Sequence, residues 1–118
     1  MKREAVLLAN ELLAHHRRAV AAKAPGKQFI HSDYTIPYGQ LCRRAGVPHA
    51  LANISYFLLE VAEWSATNKV PALNALAVNA KSGIPGEGYD GAGGFEITKW
   101  PEELERCIRF AGYPTSIA

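Results

Sequence analysis

The sequence has few of the residues that cross-link small proteins or bind metals. It contains two cysteines, Cys42 and Cys107, which are too few for a disulfide scaffold. Both fall on apolar positions of helical patterns, so we expect two buried thiols, with a disulfide between them left open. No C-x-x-C or H-x-x-x-H spacing occurs, and none of the four histidines has a partner at metal-site spacing. The sequence therefore indicates no metal and no cofactor.

Long hydrophobic runs and an excess of charge of one sign are also absent. No run approaches the length of a membrane span, and Asn10, Glu11 and His15 interrupt any apolar core of signal-peptide type. We therefore expect a cytoplasmic protein without a membrane partner. The net charge of +2 is mildly basic, which permits a nucleic-acid partner without indicating one.

What the sequence does contain is clear hydrophobic periodicity, which predicts one α+β domain over residues 1–118. Helical spacing marks four segments, at about residues 3–23, 37–46, 49–67 and 101–112. Gly46 and the turn Val47-Pro48 separate the second segment from the third. Two helices joined by a short glycine-containing turn predict a helix-turn-helix, and the predicted core of the domain spans about residues 36–98.

A short β-structure is predicted after the helix-turn-helix. Leu73 to Asn79 is apolar apart from Asn74, which predicts a buried strand. Six of the ten glycines follow within residues 83–94. The alternating segment Phe95–Thr98 predicts a returning strand, so that the glycine loop becomes the turn of a β-ribbon or wing.

The glycine loop also spells G-x-G-x-x-G at Gly86, Gly88 and Gly91. A dinucleotide fingerprint requires a helix to begin at the third glycine, because the helix amino terminus holds the pyrophosphate. No helical pattern begins there, and Glu87 and Asp90 place two negative charges inside the loop. The spacing therefore favours a tight turn over a phosphate site.

Residues Ile36–Ala50 read IPYGQLCRRAGVPHA, and Pro71–Asn79 and Gly88-Tyr89 follow. In this order the segments resemble the winged-helix domain of the O6-alkylguanine-DNA alkyltransferases and the alkyltransferase-like proteins, over residues 36–89. In that family a T-Y-G-x-L-A helix precedes a G-x-P-x-A turn, a recognition helix and a strand with P-C-H-R. Tyr38 stands at the family tyrosine. The strand of this chain has no cysteine, so the resemblance implies binding of nucleic acid without alkyl transfer.

We therefore expect a non-catalytic module of this winged-helix type that binds DNA or RNA. Side chains at the end of the first helix of a helix-turn-helix commonly meet phosphates, and the start of the second approaches a groove. The expected nucleic-acid contacts are Tyr38, Arg43, Arg44, His49, Asn53, Lys69 and Lys81.

A second hypothesis is a small protein-interaction module, such as an accessory, inhibitor or immunity protein, or a homodimer. Aromatic side chains beside an adaptable loop suit the centre of an interface. Tyr89, Phe95 and Trp100 flank the glycine loop in this way, so they are the interface candidates.

A third hypothesis is an enzyme with Cys42 as nucleophile. Arg43 and Arg44 would lower the pKa of its thiol, and His49 would act as base. Because Cys42 falls on the inner stripe of its helix, core packing is the favoured interpretation, and we expect no catalytic residue.

Overall fold

Four α-helices and one very short sheet make up the regular structure, which a computed structural model describes for residues 1–118. The helices are α1 (Arg3–Ala22), α2 (Tyr38–Arg44), α3 (Ile54–Thr67) and α4 (Trp100–Arg109), and the strands are β1 (Ile36–Pro37) and β2 (Ala77–Val78). Short 3₁₀ turns form most of the ordered connections. None of the four helices combines the length and apolar character that a membrane crossing requires.

The helical part of the sequence prediction is confirmed. Each predicted helical segment contains one observed α-helix, with ends that differ by a few residues. Gly46 ends the second segment with φ of +77°, a left-handed conformation that glycine adopts without steric cost. The main difference lies at Pro48–Asn53, which form a 3₁₀ helix ahead of α3.

The predicted α+β class with a sheet and wing is wrong, because the chain is mainly helical. The two strands are two residues long and parallel, with Ile36 opposite Ala77 and Pro37 opposite Val78. The ladder stops there because Pro37 has no N–H to donate and is the residue from which α2 begins. The first half of the predicted strand, Leu73–Leu76, is a 3₁₀ helix. Its burial was predicted correctly.

The predicted returning strand Phe95–Thr98 pairs with nothing, and Ile97–Lys99 form a 3₁₀ turn. The glycine loop folds instead into turns that pack on α3. Gly93 has φ of +61°, and a Cβ there would lie 2.5 Å from the carbonyl oxygen of Ala62. Only glycine permits this close approach to α3. The loop therefore packs on α3, where the sequence predicted a β-ribbon.

The core joins α1, α3 and α4 around the segment 71–78, whose residues are all buried. Two side chains of α4 fix that segment. Glu103 Oε2 accepts a hydrogen bond from the Ala72 amide at 2.7 Å, and Trp100 Nε1 donates to the Ala75 carbonyl oxygen at 2.9 Å. These bonds hold Asn74, which lies between the two bonded residues, in a fixed place. Cys42 and Cys107 are buried and free, as predicted.

Candidate functional site

A small polar recess opens where the amino ends of α2 and α3 meet the segment before β2 and the glycine loop. Six residues line what we call the polar recess: Tyr38, Ser55, Leu58, Asn74, Gly88 and Tyr89. Its free volume is about 10 Å³, which is close to the space that one water molecule needs. The recess therefore accepts a single small polar group.

Two of the residues that line the polar recess carry buried polar groups without partners. Asn74 is 2% exposed and Tyr89 is 5% exposed, and neither Asn74 Oδ1 nor Tyr89 Oη makes a hydrogen bond. Leaving such a group unpaired costs about 1–3 kcal/mol. Burial raises the pKa of Tyr89 well above its ordinary value, so its neutral hydroxyl can both donate and accept. Asn74 and Tyr89 therefore have hydrogen-bonding groups that the protein itself does not use.

The wall of the polar recess is held by one hydrogen bond and one tight contact. Tyr38 Oη accepts a bond from the Gly86 amide at 2.7 Å, which fixes the glycine loop to the first turn of α2. A Cβ on Gly88 would lie 2.5 Å from both Cβ and Oγ of Ser55. Glycine at position 88 therefore lets the loop close against the first turn of α3.

Two cations without acidic partners, Arg43 and Lys81, lie on the segments that leave the β1–β2 pair. The Arg43 guanidinium folds back over the first turn of α2, since Nη1 lies 3.3 Å from where a Cβ on Gly39 would be. Lys81 lies in the turn after β2, in the stretch of chain that leads to Gly86. All six ion pairs of the protein involve other residues. Glu87, beside Gly88 in the chain, is an exposed acidic residue of the glycine loop.

Of the predicted nucleic-acid contacts, Tyr38 lines the polar recess. Arg43 lies further along α2 and Lys81 in the turn after β2, and these two segments are neighbours because β1 pairs in parallel with β2. Asn53 lines a different cavity, together with Arg3 and Tyr56.

Three other predicted contacts lie elsewhere. Arg44 is the last residue of α2 and does not line the polar recess. His49 Nε2 lies 3.6 Å from Glu4 Oε2. Lys69 follows the carboxyl end of α3, about 21 Å from its start by helix geometry.

The three interface candidates are not a surface cluster. Tyr89 and Trp100 lie in the core, and Phe95 is half-buried. The large apolar side chains that are exposed near α3 are instead Leu51, Tyr56 and Leu59. Tyr89 and Trp100 lie next to the glycine loop in sequence, but they are core residues because the loop packs on α3.

Sequence reasoning missed Ser55, Asn74 and Gly88. Asn74 did carry a signal, since it is the one polar residue within the apolar stretch from Pro71 to Val78. Nothing local indicated that Ser55 and Gly88 would meet, because their contact depends on the path of the glycine loop.

Two chemistries receive no geometric support. Gly91 has φ of +83° and leads into a 3₁₀ turn rather than an α-helix, so the G-x-G-x-x-G spelling provides no helix terminus for a phosphate. Cys42 is 1% exposed, and burial raises the pKa of its thiol, which disfavours the reactive thiolate. No three His, Cys, Asp or Glu side chains converge as metal ligands.

Comparisons with protein-family models, with curated proteins and with solved structures found no match for this chain.

Proposed function

We propose that this protein is a non-catalytic nucleic-acid-binding domain whose contact surface surrounds the polar recess. One observation carries the proposal: two residues with buried, unpartnered polar groups line a recess next to the β1–β2 pair, and the two segments that leave this pair carry cations without acidic partners. Cations at a surface hold phosphates, and unused hydrogen-bonding groups recognise polar edges or hydroxyls. Both kinds of group therefore belong to the segments around the β1–β2 pair.

The phosphate contacts come from Arg43 and Lys81. Each phosphate that a cation neutralises releases counterions, so added salt weakens binding. On duplex DNA, each such contact makes the slope of log K against log[salt] more negative by about 0.9, where K is the association constant. Asn53 and Ser55, exposed ahead of and within the first turn of α3, add hydrogen-bond donors for phosphate or sugar oxygens. With so few cations, we expect weak binding that is strongest at low salt.

The recess contact comes from Asn74 and Tyr89. A group that donates to Asn74 Oδ1 and bonds to the Tyr89 hydroxyl removes the cost of both buried groups. Because the free volume is about 10 Å³, the group that enters is of hydroxyl or amino size and not a whole base. Such groups occur on base edges and, in RNA, at the ribose 2′ position.

The resemblance of residues 36–89 to the alkyltransferase-like proteins supports the same proposal. It concerns the order of Tyr38, the helix-turn-helix and Gly88-Tyr89, and these are the parts that meet at the polar recess. The chain has no cysteine in the segment Pro71–Asn79, in agreement with binding without alkyl transfer.

The decisive experiment is a fluorescence-anisotropy titration with labelled duplex DNA, single-stranded DNA and RNA, repeated over a series of salt concentrations. We expect Arg43→Glu and Lys81→Glu each to weaken binding several-fold and to reduce the salt slope by about one. Lys69→Glu is the matched control, since Lys69 is exposed but beside α4. Absence of salt-sensitive binding to all three probes, or equal losses in all three variants, contradicts the proposal.

A further inference from the structure

On the side of the protein formed by α1 and the carboxyl-terminal segment lies a second and larger cavity, a groove of about 650 Å³. This volume falls within the range of small-molecule sites. What we call the tail groove lies between residues 13–25 and residues 108–115, and the lining residues on which the inference depends are His16, Arg17, Val20, Ala21, Phe110 and Tyr113. None of them lines the polar recess, so this groove is independent of the proposed function.

The carboxyl-terminal segment is fixed as a wall of the tail groove. Asn10 exchanges two hydrogen bonds with Ile117, from Nδ2 to the carbonyl oxygen at 3.0 Å and from the Ile117 amide to Oδ1 at 2.7 Å. Tyr113 donates its hydroxyl to the Pro71 carbonyl oxygen at 2.6 Å. Because the segment is tied at both places, the groove is preformed.

The tail groove has an apolar interior. Val20 and Ile108 contribute aliphatic surface, and the rings of Phe110 and Tyr113 pack edge to face with centroids 4.8 Å apart. His16 also belongs to this interior: its Nε2 donates to the Cys107 carbonyl oxygen at 2.8 Å, and burial lowers its pKa. At neutral pH the imidazole is therefore uncharged, and the interior suits an apolar chain or ring.

The charge at the edge of the tail groove is positive. No lining residue is acidic. Arg109 is neutralised, since its Nε bonds to Glu105 Oε2 at 2.9 Å. Arg17 is exposed and has no acidic partner, and its Nη1 donates only to the Thr115 carbonyl oxygen at 2.9 Å. Arg17 therefore keeps N–H donors that fit a carboxylate.

From these observations we infer that the tail groove binds a small amphipathic carboxylate, with its apolar part against Val20, Phe110 and Tyr113 and its carboxylate on Arg17. The apolar surface supplies affinity in proportion to the area removed from water, and the guanidinium selects the anion over an uncharged analogue. The uncharged His16 adds no second positive charge.

The test uses octanoate as probe and octanol as its uncharged analogue, at neutral pH. Calorimetry measures affinity, and amide chemical shifts of ¹⁵N-labelled protein locate binding at residues 16–21 and 108–115. We expect octanoate to bind at least several-fold more tightly than octanol. Equal affinity for the two probes, or shifts located elsewhere, overturns the inference.

Two pairs of neighbouring substitutions sharpen the result. Arg17→Gln weakens octanoate binding about tenfold, as expected for a charge-assisted bond, whereas Arg18→Gln, whose side chain pairs with Glu11, leaves it unchanged. Ala21→Phe fills the groove and abolishes binding, whereas Ala22→Phe, also exposed but outside the lining, does not. Circular dichroism of each variant shows that it is folded. Equal effects within either pair count against the site.

Discussion

The hydroxyl of Tyr38 and the amide of Gly86 form a 2.7 Å hydrogen bond between residues 48 positions apart. The bond joins the first turn of α2 to the glycine loop and shapes one wall of the polar recess. The side chain of Tyr38 therefore attaches the glycine loop to a regular helix.

Tyr38→Phe removes the acceptor of the Gly86 amide while keeping the ring. We expect a loss of about 1 kcal/mol in the free energy of unfolding and faster hydrogen exchange at Gly86. Chemical denaturation and amide exchange measure the two effects. Tyr56→Phe serves as control, because Tyr56 is exposed and its hydroxyl is not bonded; unchanged exchange at Gly86 in Tyr38→Phe would mean that the loop is held by other contacts.

Gly88→Ala places a methyl group against Ser55, whose Cβ cannot move without the backbone of α3. We expect a destabilisation of about 1–3 kcal/mol, as for overpacking elsewhere. Gly86→Ala is the matched control, since its nearest neighbour would be Tyr38 Oη at an ordinary 3.6 Å. Thermal and denaturant unfolding compare the variants. In the Gly88→Ala background, Ser55→Gly restores part of the lost stability whereas Ser55→Ala, which keeps its Cβ, does not.

Tyr89→Phe and Tyr113→Phe are the same chemical change, but we expect them to affect the free energy of unfolding differently. The Tyr89 hydroxyl is buried without a partner, so its removal leaves stability equal or raises it by about 1 kcal/mol. The Tyr113 hydroxyl donates to the Pro71 carbonyl oxygen at 2.6 Å, so its removal costs about 1–2 kcal/mol. Denaturant unfolding gives both values. If the polar recess binds a nucleic-acid group, Tyr89→Phe also weakens that binding although the protein is no less stable.

Glu103→Ala leaves the Ala72 amide buried without its acceptor. We expect a loss of about 2–3 kcal/mol, measured by denaturant unfolding. Glu103→Gln costs less because its amide oxygen can still accept from Ala72. Glu105→Ala, an exposed change on the same helix, alters stability by no more than about 0.5 kcal/mol; similar losses at 103 and 105 would show that the Ala72 contact is not important.

The buried histidines predict a fall in stability on mild acidification. Burial lowers the pKa of His16 and of His15 below the ordinary 6.5. Below pH 6.5 the unfolded chain binds protons that the folded protein does not. The free energy of unfolding therefore decreases as the pH falls from 7.5 to 5.5, by up to about 1.4 kcal/mol per pH unit for each histidine. It levels off once the pH is below the lowered pKa values of the folded state.

Urea unfolding at a series of pH values measures this slope. In His16→Gln, whose amide N–H can still reach the Cys107 carbonyl oxygen, the slope becomes shallower. A slope that is identical in His16→Gln assigns the pH dependence to other groups.

The sequence predicted the helices correctly and the wing incorrectly, for a physical reason. Helices depend on contacts three and four residues apart, so the periodicity of residues 3–23 and the glycine at position 46 predicted them correctly. The wing failed because a strand needs a partner, and the partner of Ala77–Val78 is Ile36–Pro37, some 40 residues away. The alternation at Phe95–Thr98 reflected only that Phe95 and Ile97 are half-buried whereas Glu96 and Thr98 are exposed.

The candidate site divides in the same way. Tyr38, which lines the polar recess, was selected from its residue type and from its place in the helix-turn-helix, whereas the contacts at Arg43, Asn53 and Lys81 stay predictions. Lys69 was grouped with them although the length of α3 separates it from the amino end of that helix. Tyr89 and Trp100 were predicted as surface contacts because composition cannot distinguish an aromatic anchor from a core residue.

By itself, the sequence determined the helices, the burial of Leu73–Val78 and of both cysteines, and the failure of the G-x-G-x-x-G loop to begin a helix. These properties depend on neighbours in the chain and on the removal of apolar surface from water. The tertiary structure alone decided that Ser55, Asn74, Gly88 and Tyr89 share a recess and that Asn10 fixes Ile117. Such contacts join residues far apart in sequence, and only the packed chain sets their distances.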